Sequence, residues 1–301
     1  MKINELENGA RVEIKALILK KEQKLTKSNK PYFDCVLSDS TGTISTKFWD
    51  ARTLTADIGQ VIQVSGTVDE YNGNLQLIAN FCTTLSEGYE EYLVHSPFST
   101  KEMFAELVEI LKTVENNWCK KLLLAFLQDT EFVREFKVHS AAKSIHHDYV
   151  SGLLEHTLSV TKISAMLAKM YGVNYDLCVT SAFLHDIGKM KELTCFPELD
   201  YTLEGNAIGH VSMSALEVQK RALSIEGFPE DILTKIIHCI LSHHGRLEFG
   251  SPKLPAMAEA MIVSCADLMD ARIKVINDGI AKNVGFSSAL GCAPIGGDFS
   301  E

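Results

Sequence analysis

Basic excess, long apolar runs and paired cysteines are all missing from this sequence. Lysine and arginine number 29 against 39 aspartates and glutamates, so the formal net charge is -10. That removes the global electrostatic footprint of a nucleic-acid binder and leaves only the clustering of basic residues to be judged. No stretch approaches the ~18 consecutive apolar residues of a membrane span. The opening MKINELENGARVEI holds no apolar signal core. The eight cysteines, Cys35, Cys82, Cys119, Cys178, Cys195, Cys239, Cys265 and Cys292, form no CxxC pair. Most sit inside apolar stretches and read as reduced, buried small hydrophobes. These absences predict a soluble, cytoplasmic protein that does not engage a membrane.

What is present falls into two halves of different period. Between residues 10 and 85 the pattern alternates, as in ARVEIKALILKK and PYFDCVLSDS. Phe33, Cys35 and Leu37 share one face, and Ile44, Thr46 and Phe48 another inward one. QVIQVSGTVDEY and NLQLIANFCTTL are joined by Asn72-Gly73, a strong hairpin signal. Five short strands, with one longer link over 50–59, outline an OB-fold barrel. After residue 99 apolar positions recur at spacings of three and four, beginning with the Ser/Thr-capped STKEMFAELVEILKTV. The 301 residues suffice for two domains of ordinary size.

The helical half holds a pattern of imidazoles and carboxylates. His156 lies in GLLEHTLSV, His185 and Asp186 in SAFLHDIGK, His210 in IGHVSM, His243 and His244 in LSHHG, and Asp267 in SCADLMDAR. Each alone has a structural explanation. A histidine on an apolar helix is more often a packed core residue than a ligand. Asp267 with Asp270 and Arg272 reads equally as a local ion pair. His243-His244 suits a helix C-terminus, where cations are favoured. Together these explanations fit poorly, because several imidazoles and two carboxylates buried without partners cost several kcal/mol. A divalent cation removes that cost and takes such N and O ligands.

The ordered set H…HD…H…HH…D, with HDIGK at its centre, resembles the HD-domain metal-dependent phosphohydrolases. The order of barrel, then HD domain, is similar over nearly the whole chain to the YhaM family of 3′-5′ exoribonucleases. AAKSIHHDYVSGLLEHTLSV resembles that family's HH-x-x-x-GGLLEHT signature, with Ser151 in place of the first glycine, and EGNAIGH resembles the segment before its third histidine. The resemblance implies seven metal ligands: His156, His185, Asp186, His210, His243, His244 and Asp267. Asp186 would bridge two ions. His156, His185 and Asp267 would complete one site, and His210 with His243 and His244 the other. Of the last pair, His244 could instead touch substrate. The resemblance favours Mn²⁺, with Fe²⁺ or Co²⁺ as further options.

The expected fold is therefore multidomain α and β. A five-stranded OB-fold β-barrel occupies 1–88, a linker 89–98, an all-α HD-domain helical bundle 99–288 and a loose tail 289–301. Two ions about 3.5–4 Å apart can clamp an in-line phosphoryl displacement by a metal-activated water. Asp186 is the central catalytic candidate. Lys189 can neutralise a phosphate oxygen, although it reads equally as an exposed helix-end lysine. His146 and His147 can donate to the scissile phosphate or the leaving oxygen, or can simply cap a turn. Lys143 and Arg272 are weaker phosphate contacts.

The barrel is what points to a polymer. Residues 15–30 carry six lysines against Glu22 alone. From this stretch Lys20, Lys21, Lys24, Lys27 and Lys30 are candidate backbone contacts, while Asp34 and Asp39 limit the patch. Tyr32, Trp49 and Tyr71 fall opposite the inward positions and can stack on bases; each alone reads as rim packing. The expected activity is a 3′-5′ exonuclease on single-stranded RNA, with single-stranded DNA as a second substrate, in a homo-oligomer implied by resemblance. The alternatives are a phosphohydrolase of nucleotides or cyclic dinucleotides, and an RNA-binding protein with a structural metal.

Overall fold

The computed structural model describes residues 1–143, 148–281 and 285–297. It separates into two compact units, Met1–His95 with Cys195–Asp200, and Ser96–Thr194 with Tyr201–Glu301. No helix among the described residues is long and apolar enough to cross a membrane.

The first unit is built on β1 (Arg11–Leu25), β2 (Pro31–Asp39), β3 (Gly42–Phe48), β4 (Val61–Tyr71) and β5 (Asn74–Thr84). They close into a barrel in the order β1-β2-β3-β5-β4. The pairs are antiparallel except β3 with β5, which run parallel from Ser45↔Gln76 to Lys47↔Ile78. Closure leaves no free sheet edge. The interior takes Ile14, Ala16 and Ile18 from β1, Cys35 and Leu37 from β2, and Ile44 and Phe48 from β3. Phe33 is only partly buried against that core. The β4–β5 turn has positive φ at both Asn72 (52°) and Gly73 (77°), as a two-residue hairpin of type I′ requires. Asp39 is buried and accepts from the backbone N–H groups of Ile3 and Thr41 at 2.9 and 2.8 Å. It is a structural clamp on the N-terminal turn.

The second unit is helical: α1 (Thr100–Lys112), α2 (Asn117–Leu127), α3 (Thr130–Val138), α4 (Gly152–Tyr171), α5 (Tyr175–Leu184), the short α6 (Lys189–Glu192) and α7 (Leu203–Ile208), α8 (His210–Leu223), α9 (Glu230–Ser242) and α10 (Ala258–Ala281). The side chains of Ser99, Asn116, Asp129 and Asn174 accept backbone N–H groups at the starts of α1, α2, α3 and α5. α5 is apolar nearly all round, and Leu177–Leu184 are all buried. A helix with that composition belongs inside a bundle. Phe183 anchors it with rings edge-on to Phe136 at 5.7 Å and to Phe126 at 6.4 Å. The anchor lies two residues before His185.

Ser151, where the resembled signature has glycine, stands in the left-handed region at φ 68°, ψ 11°. That region favours glycine. Here a hydroxyl takes the position, 2.8 Å from the Thr100 hydroxyl, immediately before the helix that carries His156.

Candidate metal centre

Five helices and the loop after α5 bring all seven predicted ligand residues to one place. His156 projects from α4, His185 caps the C-terminus of α5 and Asp186 follows it. His210 opens α8, His243 caps α9 with His244 next, and Asp267 lies within α10. His156, His185, Asp186 and His243 are buried. Three groups have ligand atoms within 4.8 Å of one another: His156/His185/Asp267, His210/His243/His244 and His185/Asp186/His243.

The hydrogen bonds fix which face each imidazole presents. A carbonyl oxygen can only accept, so the Nδ1–H of His185 donates to Ala182 O at 2.7 Å. In the same way Nδ1–H of His243 donates to Ile240 O (2.6 Å) and that of His244 to Phe249 O (2.8 Å). His156 Nδ1 lies 2.7 Å from Asp270 Oδ2, and His210 Nδ1 lies 2.8 Å from Glu192 Oε1. All five rings thus spend Nδ1 on an acceptor and leave the Nε2 lone pair facing inward. His156 Nε2 and His185 Nε2 meet at 3.2 Å, and His210 Nε2 and His244 Nε2 at 3.3 Å. Two imidazole nitrogens opposed at such distances need a proton or a metal cation between them.

Asp186 sits in the middle. Its Oδ2 is 3.4 Å from His156 Nε2 and 3.3 Å from His185 Nε2, while its Oδ1 is 3.5 Å from both His210 Nε2 and His243 Nε2. Oδ1 is buried and has no hydrogen-bond partner among the described residues. An orphaned carboxylate oxygen in the interior is costly. Together with the opposed lone pairs, it makes this donor set fit a divalent cation. Asp267 Oδ1 lies 3.3 Å from His156 Nε2.

The charges agree with that reading. Burial pushes the Asp186 carboxyl up, but Lys189 and His185 pull it well below the usual range, so it stays ionised. Burial likewise opposes Asp267, and His156 with the other imidazoles lowers it. His156 is pulled down by burial and pushed up further by Asp186, Asp267 and Asp270. Three carboxylates that attract a proton there attract a metal cation equally. Burial lowers His243 and His244, keeping them neutral and ligand-ready. Lys189 Nζ is 2.7 Å from Asp186 Oδ2. That carboxylate overcomes the burial penalty and raises its pKa.

A cleft of about 450 Å³ opens onto the cluster, lined among others by Asp186, Lys189, His210, His244 and Asp267. Lys143 also lines it. Arg272 does not; it donates to the backbone oxygen of Ala289. Asp270, weighed above as part of a local ion pair, places Oδ2 against His156 Nδ1 at 2.7 Å. His146 and His147 lie outside the described residues.

Sequence reasoning missed Glu192 and Asp270, the carboxylates on the outer nitrogens of His210 and His156. Their signal was faint: Glu192 in GKMKEL and Asp270 three residues after Asp267 look like ordinary helix-face acids. The close approach that assembles the site is also hidden. A Cβ on Gly188 would lie 2.2 Å from His210 O and 2.7 Å from Ser214 N, so only glycine lets the start of α8 reach the loop that carries Asp186.

On the barrel, the basic stretch is largely paired. Lys20 bonds Glu22 at 2.8 Å, and Lys24 bonds Glu22 and Asp34 at 3.2 and 2.7 Å. Lys21 pairs with Asp57 at 2.8 Å, and its side chain is only 14% exposed. Lys27 and Lys30 make no ion pair among the described residues. Tyr32 and Trp49 come together with ring centroids 4.7 Å apart, and Trp49 is well exposed. Tyr71 is exposed at the end of β4, beside the hairpin turn.

Comparison with known proteins agrees with both units. The family described as HD domain matches residues 153–272, and the one described as OB-fold nucleic acid binding domain matches 12–85. The 3′-5′ exoribonuclease YhaM of Oceanobacillus iheyensis is 35% identical over 280 residues, covering 88% of this chain and 86% of that protein. The protein of that name from Bacillus subtilis is 31% identical over 284 residues, covering 92% and 90%. Among solved structures, the second OB-fold domain of replication protein A from Methanococcus maripaludis matches 30% of the chain at 23% identity, with a TM-score of 0.25.

Proposed function

The chain belongs to the family of the 3′-5′ exoribonuclease YhaM, and on that premise we propose that it hydrolyses phosphodiester bonds of single-stranded RNA from the 3′ end at a divalent-metal centre. The observation that carries the proposal is the convergence of four imidazole Nε2 atoms on Asp186, whose Oδ1 has no hydrogen-bond partner among the described residues, with His244 Nε2 joining through His210.

His156, His185 and Asp267 would hold one ion and His210, His243 and His244 a second, with Asp186 shared between them. Mn²⁺ is the proposed metal, and Fe²⁺ or Co²⁺ suits the same mixed ligation. When bound, such ions supply Lewis acidity toward phosphoryl oxygens and lower the pKa of a water toward neutrality. The chain's own residues orient and neutralise. Glu192 and Asp270 hold the rings of His210 and His156 in one tautomer. Lys189, kept charged beside Asp186, lines the cleft and can neutralise a phosphate oxygen as charge builds. The barrel supplies strand binding through the Tyr32–Trp49 pair and the unpaired Lys27 and Lys30. Stacking does not read the 2′-hydroxyl, so single-stranded DNA is an expected second ligand.

All eight cysteines are free thiols, which suits a reducing, cytoplasmic setting. Exposed Ile273, Ile276 and Ile280, spaced by three and four along α10 and so on one face of it, support a homo-oligomer. A phosphohydrolase of free nucleotides or cyclic dinucleotides is not favoured, because the similarity to exoribonucleases spans both units.

The test is digestion of 5′-labelled single-stranded RNA with Mn²⁺, with and without chelator. Stepwise shortening that the chelator stops is expected. Intact RNA alongside turnover of free nucleotides would overturn the proposal.

A further inference from the structure

The cleft beside the metal cluster has an aromatic side. Tyr201 and Phe249 line it together with Lys143 and Lys189. The two residues are 46% and 48% exposed, so aromatic side chains face solvent next to a concentration of charge. Backbone contacts hold both in place. Tyr201 is bridged to Leu193, just after α6. Phe249 ends a short turn, and its carbonyl accepts the Nδ1–H of His244. That bond ties the ring's position to a residue of the cluster. One cation lies over each ring: Lys143 Nζ is 5.6 Å from the Tyr201 centroid and the Arg246 guanidinium 5.7 Å from that of Phe249.

A ligand that uses all of this needs an anionic end for the lysines and metal ligands and a flat apolar end for the rings. A cleft of about 450 Å³ falls within the size range of small-molecule sites. We infer that it is a nucleoside subsite, in which the base of the 3′-terminal nucleotide stacks on Tyr201 and Phe249 while its phosphate lies toward Lys189 and the cluster. The inference rests on the exoribonuclease reading of that cluster. Every base has a π-face, so such a subsite engages any sequence and selects for a base-bearing end.

The test compares adenosine 5′-monophosphate with ribose 5-phosphate, which lacks the base, in equilibrium binding to the full-length metal-loaded protein. Wild type is expected to bind the nucleotide about 5- to 150-fold more tightly. Tyr201→Leu with Phe249→Leu should remove most of that difference and leave ribose 5-phosphate affinity unchanged, while Tyr201→Phe should retain it. Equal binding of the two ligands by wild type overturns the inference, as does an equal loss of both in the double variant. Melting temperature and metal content are measured alongside; if the double variant folds poorly, the wild-type comparison decides alone. If wild type shortens no RNA, the exoribonuclease reading fails separately, and the two-ligand comparison still decides the subsite.

Discussion

Glu192 holds His210 by three contacts: its Oε1 accepts the backbone N–H at 2.9 Å, and Oε1 and Oε2 lie 2.8 and 2.9 Å from Nδ1. Burial raises the Glu192 carboxyl, and His210 lowers it further, so it accepts as a carboxylate. The ring at the start of α8 therefore cannot turn, and its Nε2 is committed to the cluster. Replacing Glu192 with Gln or Ala should weaken metal binding about 10- to 100-fold with every ligand residue intact. Metal titration of the apo protein checks this, and unchanged affinity would sink the positioning role.

Gly188 makes a steric prediction. Gly188→Ala places a methyl group against the backbone of His210 and Ser214, and neither can yield without moving α8. Overpacking of this kind costs about 1–3 kcal/mol. The variant should melt earlier and bind metal more weakly, because His210 moves with the helix. A variant with wild-type metal affinity would show that this close approach does not position the site.

Asp186→Ala should abolish hydrolysis while RNA binding persists, because the strand contacts proposed above are on the barrel and not at the cluster. Digestion and filter-binding assays on the same preparation separate the two. Wild-type turnover would rule out the bridging role.

On the barrel, Trp49→Ala should weaken single-stranded RNA binding by about 1–3 kcal/mol if a base stacks there. Charge reversal at Lys21 should instead destabilise the fold, because its ammonium bonds Ala56 O and Asp57. Neutralising Lys27 and Lys30 should lower the slope of log affinity against log salt by about 0.7 for each phosphate that is no longer neutralised. An unchanged slope assigns those lysines to solvent.

Acid stability has a local source in Asp129. Its carboxylate accepts the N–H of Phe132 at the start of α3 and pairs with Arg221 of α8 at 2.8 Å. These bonds, the Phe132 N–H foremost, lower its pKa below 3.8. A depressed folded value contributes stability above the unfolded pKa, and that contribution disappears as pH falls through the folded one. Asp129→Ala should cost about 0.5–2 kcal/mol at pH 7. Asp129→Asn keeps the cap and should flatten the loss of melting temperature below pH 4. An unaltered acid limb in Asp129→Asn would place its origin elsewhere.

How far the sequence could be read depends on the range of each interaction. Strand alternation, the Asn72-Gly73 turn and the capped start of α1 were legible because their causes are local. The basic stretch was legible as charge and not as free charge, since Asp34 and Asp57, which neutralise Lys24 and Lys21, are 10 and 36 residues away from them. Glu192 and Asp270 were invisible as positioning groups because nothing local distinguishes them from solvated acids.

The sequence by itself determined which groups are available: the five imidazoles, the two carboxylates and the periods that assign them to helices. Only the tertiary structure decided that they converge. Convergence depends on where α4, α5, α8, α9 and α10 cross, on the missing side chain at Gly188 that lets α8 approach, and on the acceptors that turn each ring inward. Those are interactions between residues distant in the chain, and no local pattern encodes a distance.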